Sequence, residues 1–356
     1  RLTGETRTGV KPFTASYAYD INSNRIQKVI SGTEENDTIN YTYNANDQLT
    51  TEVSSANGTT VYTYDANGSL TTKVNAGKFD YRYAYDLRNR LSNADITRKE
   101  GLVDVTINSK YFYNVNGIRT QALQTINGIT QNRYFLLDEG LTGYAQVLEE
   151  MVGSEQTRTL ARSYVIGDDV LSQSVGGATS YLLYDGHGST RQLADSDGEI
   201  TANYAYDAYG RMLGAVPDVT EQKGDTDFLY AGEQFDAALQ MGYLRARYHD
   251  QNTGRFNRLD PFAGNVRDPQ SLHKYAYCHV DPVNSTDPSG MMIVGMLTAM
   301  NIQQHLANTK NETDLSVQSG MESIIFGLQT GMSANGILAT YYTGIALPFA
   351  FRGIIN

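Results

Sequence analysis

Tyrosine pairs recur along this chain at a nearly fixed interval, and each pair is followed by Asp or Asn. The phrase reads Tyr17-Ala-Tyr19-Asp20, Tyr41-Thr-Tyr43-Asn44, Tyr62-Thr-Tyr64-Asp65, Tyr83-Ala-Tyr85-Asp86, Tyr111-Phe-Tyr113-Asn114 and Tyr204-Ala-Tyr206-Asp207, with Tyr181-Leu-Leu-Tyr184-Asp185 as a variant. The acidic or amide positions step by 24, 21, 21 and 28 residues, then by 22 from Asp185 to Asp207. Such a period marks a repeat array rather than one globular fold. Between residues 115 and 180 the phrase is degraded, and Tyr134-Phe135 and Tyr164-Val165 read as remnants.

The physics of one copy can be read directly. Residues spaced by two put both rings on one face of a strand. Tyr and Thr favour strands. A following Asp-x-Asn-Gly turn, as in Asp65-Ala66-Asn67-Gly68, supplies residues that tolerate positive φ. Each copy is then a β-hairpin, marginal alone and stable when neighbours share edges. The expected fold is mainly β: an antiparallel hairpin array forming a curved shell or cage segment. An uncovered β edge invites aggregation, so further repeats or other copies are expected to cover the shell's edges.

Composition narrows the function. There are 28 Lys and Arg against 39 Asp and Glu, a net charge of −11, so no nucleic-acid partner is expected. One cysteine, Cys278, excludes an internal disulfide framework and a cysteine-based zinc cluster. The chain opens on Arg1 with no basic-then-apolar leader, and upstream sequence is expected to be missing. Of the 26 Tyr, 24 precede residue 291; of the 9 Met, 6 lie at or after it; 4 of the 7 Pro fall between Pro261 and Pro288. The expected division is therefore a body over 1–227, a junction over 228–290 and a tail over 291–356.

The Tyr-x-Tyr-Asp phrase resembles the YD repeat of RHS (rearrangement hotspot) proteins, toxin-complex C subunits and teneurins, whose repeats spiral into a hollow β-cage. The junction resembles the RHS-repeat-associated core domain. It carries Gly242-Tyr-Leu-Arg-Ala-Arg247-Tyr, Gly254-Arg255-Phe256, Arg258-Leu259-Asp260-Pro261 and Asp287-Pro288-Ser289-Gly290 in order. Gly143-Tyr144-Ala145-Gln146-Val147 and Asp185-Gly-His187-Gly-Ser189-Thr190 resemble the stretch leading into that core. The resemblance implies a plug inside the cage that acts as an aspartyl-type autoprotease on its own chain. Asp260 and Asp287 match the two Asp-Pro aspartates, and Arg255 matches the Gly-Arg-Phe arginine. Cleavage is implied after Gly290, at Met291 or between Met291 and Met292. Two close carboxylates cannot both ionise cheaply, so one activates water while the other donates a proton. Arg255 or Arg258 is expected to hold the charged partner or a developing oxyanion. The sequence departs from the pattern: Asp260-Pro-Phe-Ala-Gly264 is one residue longer than Asp-Pro-x-Gly, and Leu259 stands where relatives have Arg. Asp-Pro turns alone are ordinary structure, so a purely structural plug stays open.

Other candidates are weaker. Cys278 with His273 and His279 offers a thiol site, and a half-buried Cys among neutral histidines is the simpler account. His187 offers one metal ligand without a second cluster. Asp195-Ser-Asp197-Gly198-Glu199 reads as a hairpin turn rather than a Ca²⁺ loop. No cofactor or metal is expected.

The tail has five charges, Lys310, Glu312, Asp314, Glu322 and Arg352, and none from Ser323 to Phe351. It reads as partly helical, and short of the continuous apolarity of a spanning helix. Three roles stay open: a membrane-perturbing toxin, a stored helical cargo, or packing. The resemblance implies the C-terminal part of a secreted or cell-surface polymorphic toxin that carries its own tail as cargo and uses a secretion or delivery apparatus. The alternative is a non-toxic YD-repeat scaffold or adhesion protein.

Overall fold

The computed structural model describes residues 1–9, 11–101, 103–139, 144–167, 169–214, 226–291 and 293–295. Over them, eighteen strands run from β1 (Gly4–Arg7) to β18 (Ile200–Asn203). Each pairs antiparallel with the next in sequence, so the array is one continuous meander. The ladder does not lapse between 115 and 180, where the phrase is degraded: Tyr134 and Tyr164 are buried on strands there.

The acidic residue of each repeat builds its turn. Asp65 Oδ1 accepts the N–H groups of Asn67 and Ser69, two and four residues on. Asn44, Asp86, Asn114, Asp185 and Asp207 repeat the same pair of bonds. Asp195 does likewise with Asp197 and Glu199, so the acidic Asp195–Glu199 stretch is a hairpin turn. The third residue after the acid has positive φ each time. Gly supplies it at 68, 117, 188, 198 and 210; Ser23, Asp47 and Asn89 adopt it elsewhere.

The tyrosines divide the labour. The first ring of the pair is buried at Tyr17, Tyr41, Tyr62, Tyr83 and Tyr111. The second reaches back to the preceding repeat. Tyr43 donates to the Arg25 carbonyl at 2.8 Å, Tyr85 to Leu70 at 3.0 Å, Tyr113 to Leu91 at 2.6 Å and Tyr206 to Thr190 at 2.9 Å. A register shift falls just before that second ring in repeat after repeat, at Ala18/Tyr19, Thr42/Tyr43, Thr63/Tyr64, Ala84/Tyr85 and Phe112/Tyr113. It persists at Leu136/Leu137 and Val165/Ile166, where the second tyrosine is replaced by Leu137 and Ile166. A bulge bends its strand and tightens the twist, so one bulge per repeat curves the wall.

The curvature brings the ends together. No register pairs β18 with β1 among the described residues, and the ladder stays open. Side chains span the gap. Lys28 Nζ meets Asp207 Oδ2 at 2.9 Å with both groups buried. The Tyr19 and Tyr209 hydroxyls share a 2.7 Å bond, and the Ala208 N–H donates to Glu5. Arg211 pairs with Glu35 at 2.8 Å.

The chain then fills its own wall. A four-stranded sheet, β19 (Gln234–Asp236), β20 (Met241–Leu244), β21 (Arg247–Asp250) and β22 (Arg255–Phe256), is buried on both faces. Its Met241, Tyr243 and Tyr248 join Tyr41, Leu49, Tyr62, Leu70 and Leu91 of the wall in one apolar core. Each such Leu contributes roughly 1.5–3 kcal/mol by leaving water. Bonds to the wall come from several sides: Lys73 to Asp250 at 2.8 Å, buried Arg119 to Asp236 at 2.8 Å, and the Leu70 N–H to the Asn257 carbonyl at 2.9 Å. The expected helical tail lies outside the described residues, apart from a two-residue strand, Val294–Gly295, paired with Ser285–Thr286.

Candidate functional site

Two strands of the inner sheet meet at a tight connection, Arg245-Ala246, and it grips the segment ending at Gly290. Three consecutive carbonyls are held by three consecutive residues. Arg245 Nη1 donates to the Pro288 carbonyl, the Ala246 N–H to Ser289 at 3.2 Å, and Arg247 Nε to Gly290. Gly290 has φ +69°, and a Cβ there would stand 2.3 Å from the Leu244 carbonyl oxygen and 3.0 Å from the Arg247 nitrogen. Only glycine brings this backbone so close to Arg247.

The two aspartates expected from sequence meet at that same arginine. Arg247 Nη2 lies 2.8 Å from Asp260 Oδ2 and 3.4 Å from Asp287 Oδ2. The guanidinium carbon is 3.5 Å from the centre of the Phe256 ring, and Nη1 donates to the Lys274 carbonyl at 3.2 Å. Asp287 is buried, and its Oδ1 accepts the Met291 N–H at 3.1 Å and the Ser289 hydroxyl at 3.2 Å. The Gly290–Met291 peptide bond is thus held at both ends, its oxygen by Arg247 and its nitrogen by Asp287. Burial raises the Asp260 carboxyl, against the pull of Arg247. Burial also lowers the Arg247 guanidinium, while Asp260 and Asp287 favour its charge. Met292 lies outside the described residues.

The other two predicted arginines stand elsewhere. Arg255 serves the wall: Nη1 donates to Asn24 at 3.0 Å, Nη2 to the Asp47 carbonyl, and its guanidinium lies over Tyr43 and Tyr275. Arg258 holds the Ala246 carbonyl through Nη2 at 2.6 Å, one step behind the clamp. Arg247 is instead the arginine that contacts both aspartates. It was in view as the second arginine of Leu-Arg-Ala-Arg-Tyr, and its register opposite Leu244 is what turns it toward Gly290.

The weaker candidates resolve into structure. Cys278 is fully buried, and burial with the nearby Asp287 charge pushes its thiol well up, away from the reactive thiolate. His273 accepts the Tyr275 and Ala276 N–H groups on Nδ1 and meets Asn24 through Nε2 at 2.9 Å. Those bonds fix a neutral ring that braces a turn. The His187 ring packs against Tyr230 at 5.2 Å. Among the described residues, no three His, Cys, Asp or Glu side chains converge on a metal-sized site.

With this geometry in hand, the relatives can be placed. The family model described as RHS Repeat matches residues 43–79. The tRNA3(Ser)-specific nuclease WapA of Bacillus spizizenii is 31% identical over 182 residues, covering 51% of this chain and 7% of that protein. Salivary gland surface protein 1 of Aedes aegypti is 32% identical over 119 residues, covering 33% of this chain and 3% of that protein. The chain therefore spans less than a tenth of the length of these curated relatives. A solved Tc holotoxin pore of Photorhabdus luminescens aligns with 79% of this chain and 15% of its own, at a TM-score of 0.52 and 19% identity, a likeness of fold. A tyrosine-turn repeat, a bulged meander wall and these matches agree: the chain carries RHS/YD repeats.

Proposed function

We propose that this chain belongs to a secreted or surface-delivered RHS-repeat toxin, in which the wall carries the segment from Met291 onward and the inner sheet releases it by cutting at Gly290–Met291. One observation carries the reading: a peptide bond held by Arg247 on its carbonyl and by Asp287 on its nitrogen. The reaction is hydrolysis. Water adds to the Gly290 carbonyl carbon while Asp287 takes its proton, and the oxyanion forms against Arg247. The C–N bond then breaks as Asp287 returns the proton to the Met291 nitrogen. The products are a Gly290 carboxyl and a Met291 amine. Asp260 touches Arg247 and no reacting atom, so its work is to hold the guanidinium in place. The named relatives, a tRNA nuclease and a toxin pore, support a toxin context.

The test is the intact mass of the purified full chain and of Asp287→Asn. The wild type should appear as two species, 1–290 and 291–356, and the variant as one. An uncut wild type at neutral pH, or equal cutting in the variant, refutes the reading. A second reading, a YD-repeat surface scaffold with a structural plug, is favoured by the likeness to a salivary gland surface protein and requires an uncut wild type.

A further inference from the structure

Of the three residues that clamp 288–290, Arg245 alone also reaches the wall. Its Nε donates to the Ala145 carbonyl at 2.8 Å, and its guanidinium lies 5.6 Å from the Tyr144 ring centre, within cation–π range. Its Nη1 binds the Pro288 carbonyl and Glu233 Oε2, the latter at 2.6 Å. Tyr144 and Ala145 lead directly into the wall strand Gln146–Gly153, in the stretch that resembles the approach to the core. One planar fork therefore bridges three elements: the wall, the inner sheet and the segment to be cut. Arg245 itself has φ +55°, which a bulky residue keeps only when its surroundings fix it.

We infer that Arg245 is a positioning residue that makes self-cleavage conditional on docking of one wall segment: the bond is presented for cutting only once Tyr144 and Ala145 have docked on the guanidinium. The inference rests on the self-cleavage reading above and adds its regulation. Before docking, Arg245 has Glu233 as its remaining partner, and the Pro288 carbonyl is held loosely. A misplacement of about 1 Å costs on the order of 100-fold in rate, so an undocked segment would spare the bond. The device times release to follow docking of that wall segment.

The experiment refolds the full chain from denaturant and follows intact mass with time for wild type, Arg245→Lys, Tyr144→Leu and Tyr144→Phe. Lysine keeps a charge beside Glu233 and lacks the fork that bridges two carbonyls. Arg245→Lys and Tyr144→Leu should cut about 10- to 100-fold more slowly. Tyr144→Phe, which keeps the ring, should cut at the wild-type rate. Thermal unfolding of each variant reports folding separately; if Arg245→Lys does not fold, the Tyr144 pair decides. Wild-type rates in folded Arg245→Lys and in Tyr144→Leu overturn the inference and leave self-cleavage standing. A wild type that stays whole overturns both.

Discussion

Gly68 shows how much one residue of the repeat must satisfy. It adopts φ +76°, and an added Cβ would stand 2.6 Å from Leu259 Cγ and 2.8 Å from the Tyr275 hydroxyl. Gly58, in a turn with φ +79°, has nothing within 4 Å. Alanine at Gly58 should cost the left-handed penalty alone, about 1–2 kcal/mol. At Gly68 the clash should add a further 1–3 kcal/mol or so. Denaturant unfolding of the two variants separates the terms, and equal losses would contradict the packing described. At this scale the sequence was highly informative, because Asp65 and Gly68 act within five residues of each other. Arg247 was not legible in the same way. Its partners, Asp260, Asp287 and Gly290, lie 13 to 43 residues away, and only strand register decides which arginine faces them. Arg255, picked out by its motif, faces the wall for the same reason.

Among elements, the inner sheet carries the pH dependence. His249 on β21 is fully buried, stacked on Tyr277 at a 4.0 Å ring separation, and burial holds its imidazole down to about 3. The unfolded chain therefore binds a proton that the folded chain refuses between about pH 6.5 and 3. Stability from this group is full above 6.5 and falls as pH drops, by up to roughly 1.4 kcal/mol per unit. Melting temperatures at pH 7 and pH 5 should diverge more for wild type than for His249→Phe. Identical shifts would show that the buried ring titrates freely. The strands of the wall could be read from alternating tyrosines, whereas β19 to β22 bury Gln234, Asp236, Arg247, His249, Asp250 and Arg255 beside their apolar neighbours. Polarity there does not mark a solvent face, so family resemblance could imply a plug but periodicity could not reveal a sheet.

The whole molecule is a meander whose ends meet without a ladder. Tyrosine counts reveal the repeat, but not that eighteen strands suffice for the first hairpins to reach the last turn. That outcome follows from a bulge in each repeat, which leaves its mark in register and not in composition. Closure rests on Lys28 and Asp207, a buried pair 179 residues apart. Breaking one partner of such a pair strands the other charge, at about 3–5 kcal/mol, while removing both costs much less. Unfolding free energies of Lys28→Met, Asp207→Asn and the double variant therefore test the curled wall most directly. The account predicts that each single change destabilises strongly and that the double is far less harmful than their sum. Additive losses would mean that the two residues do not meet, and that the wall does not close around its own sheet.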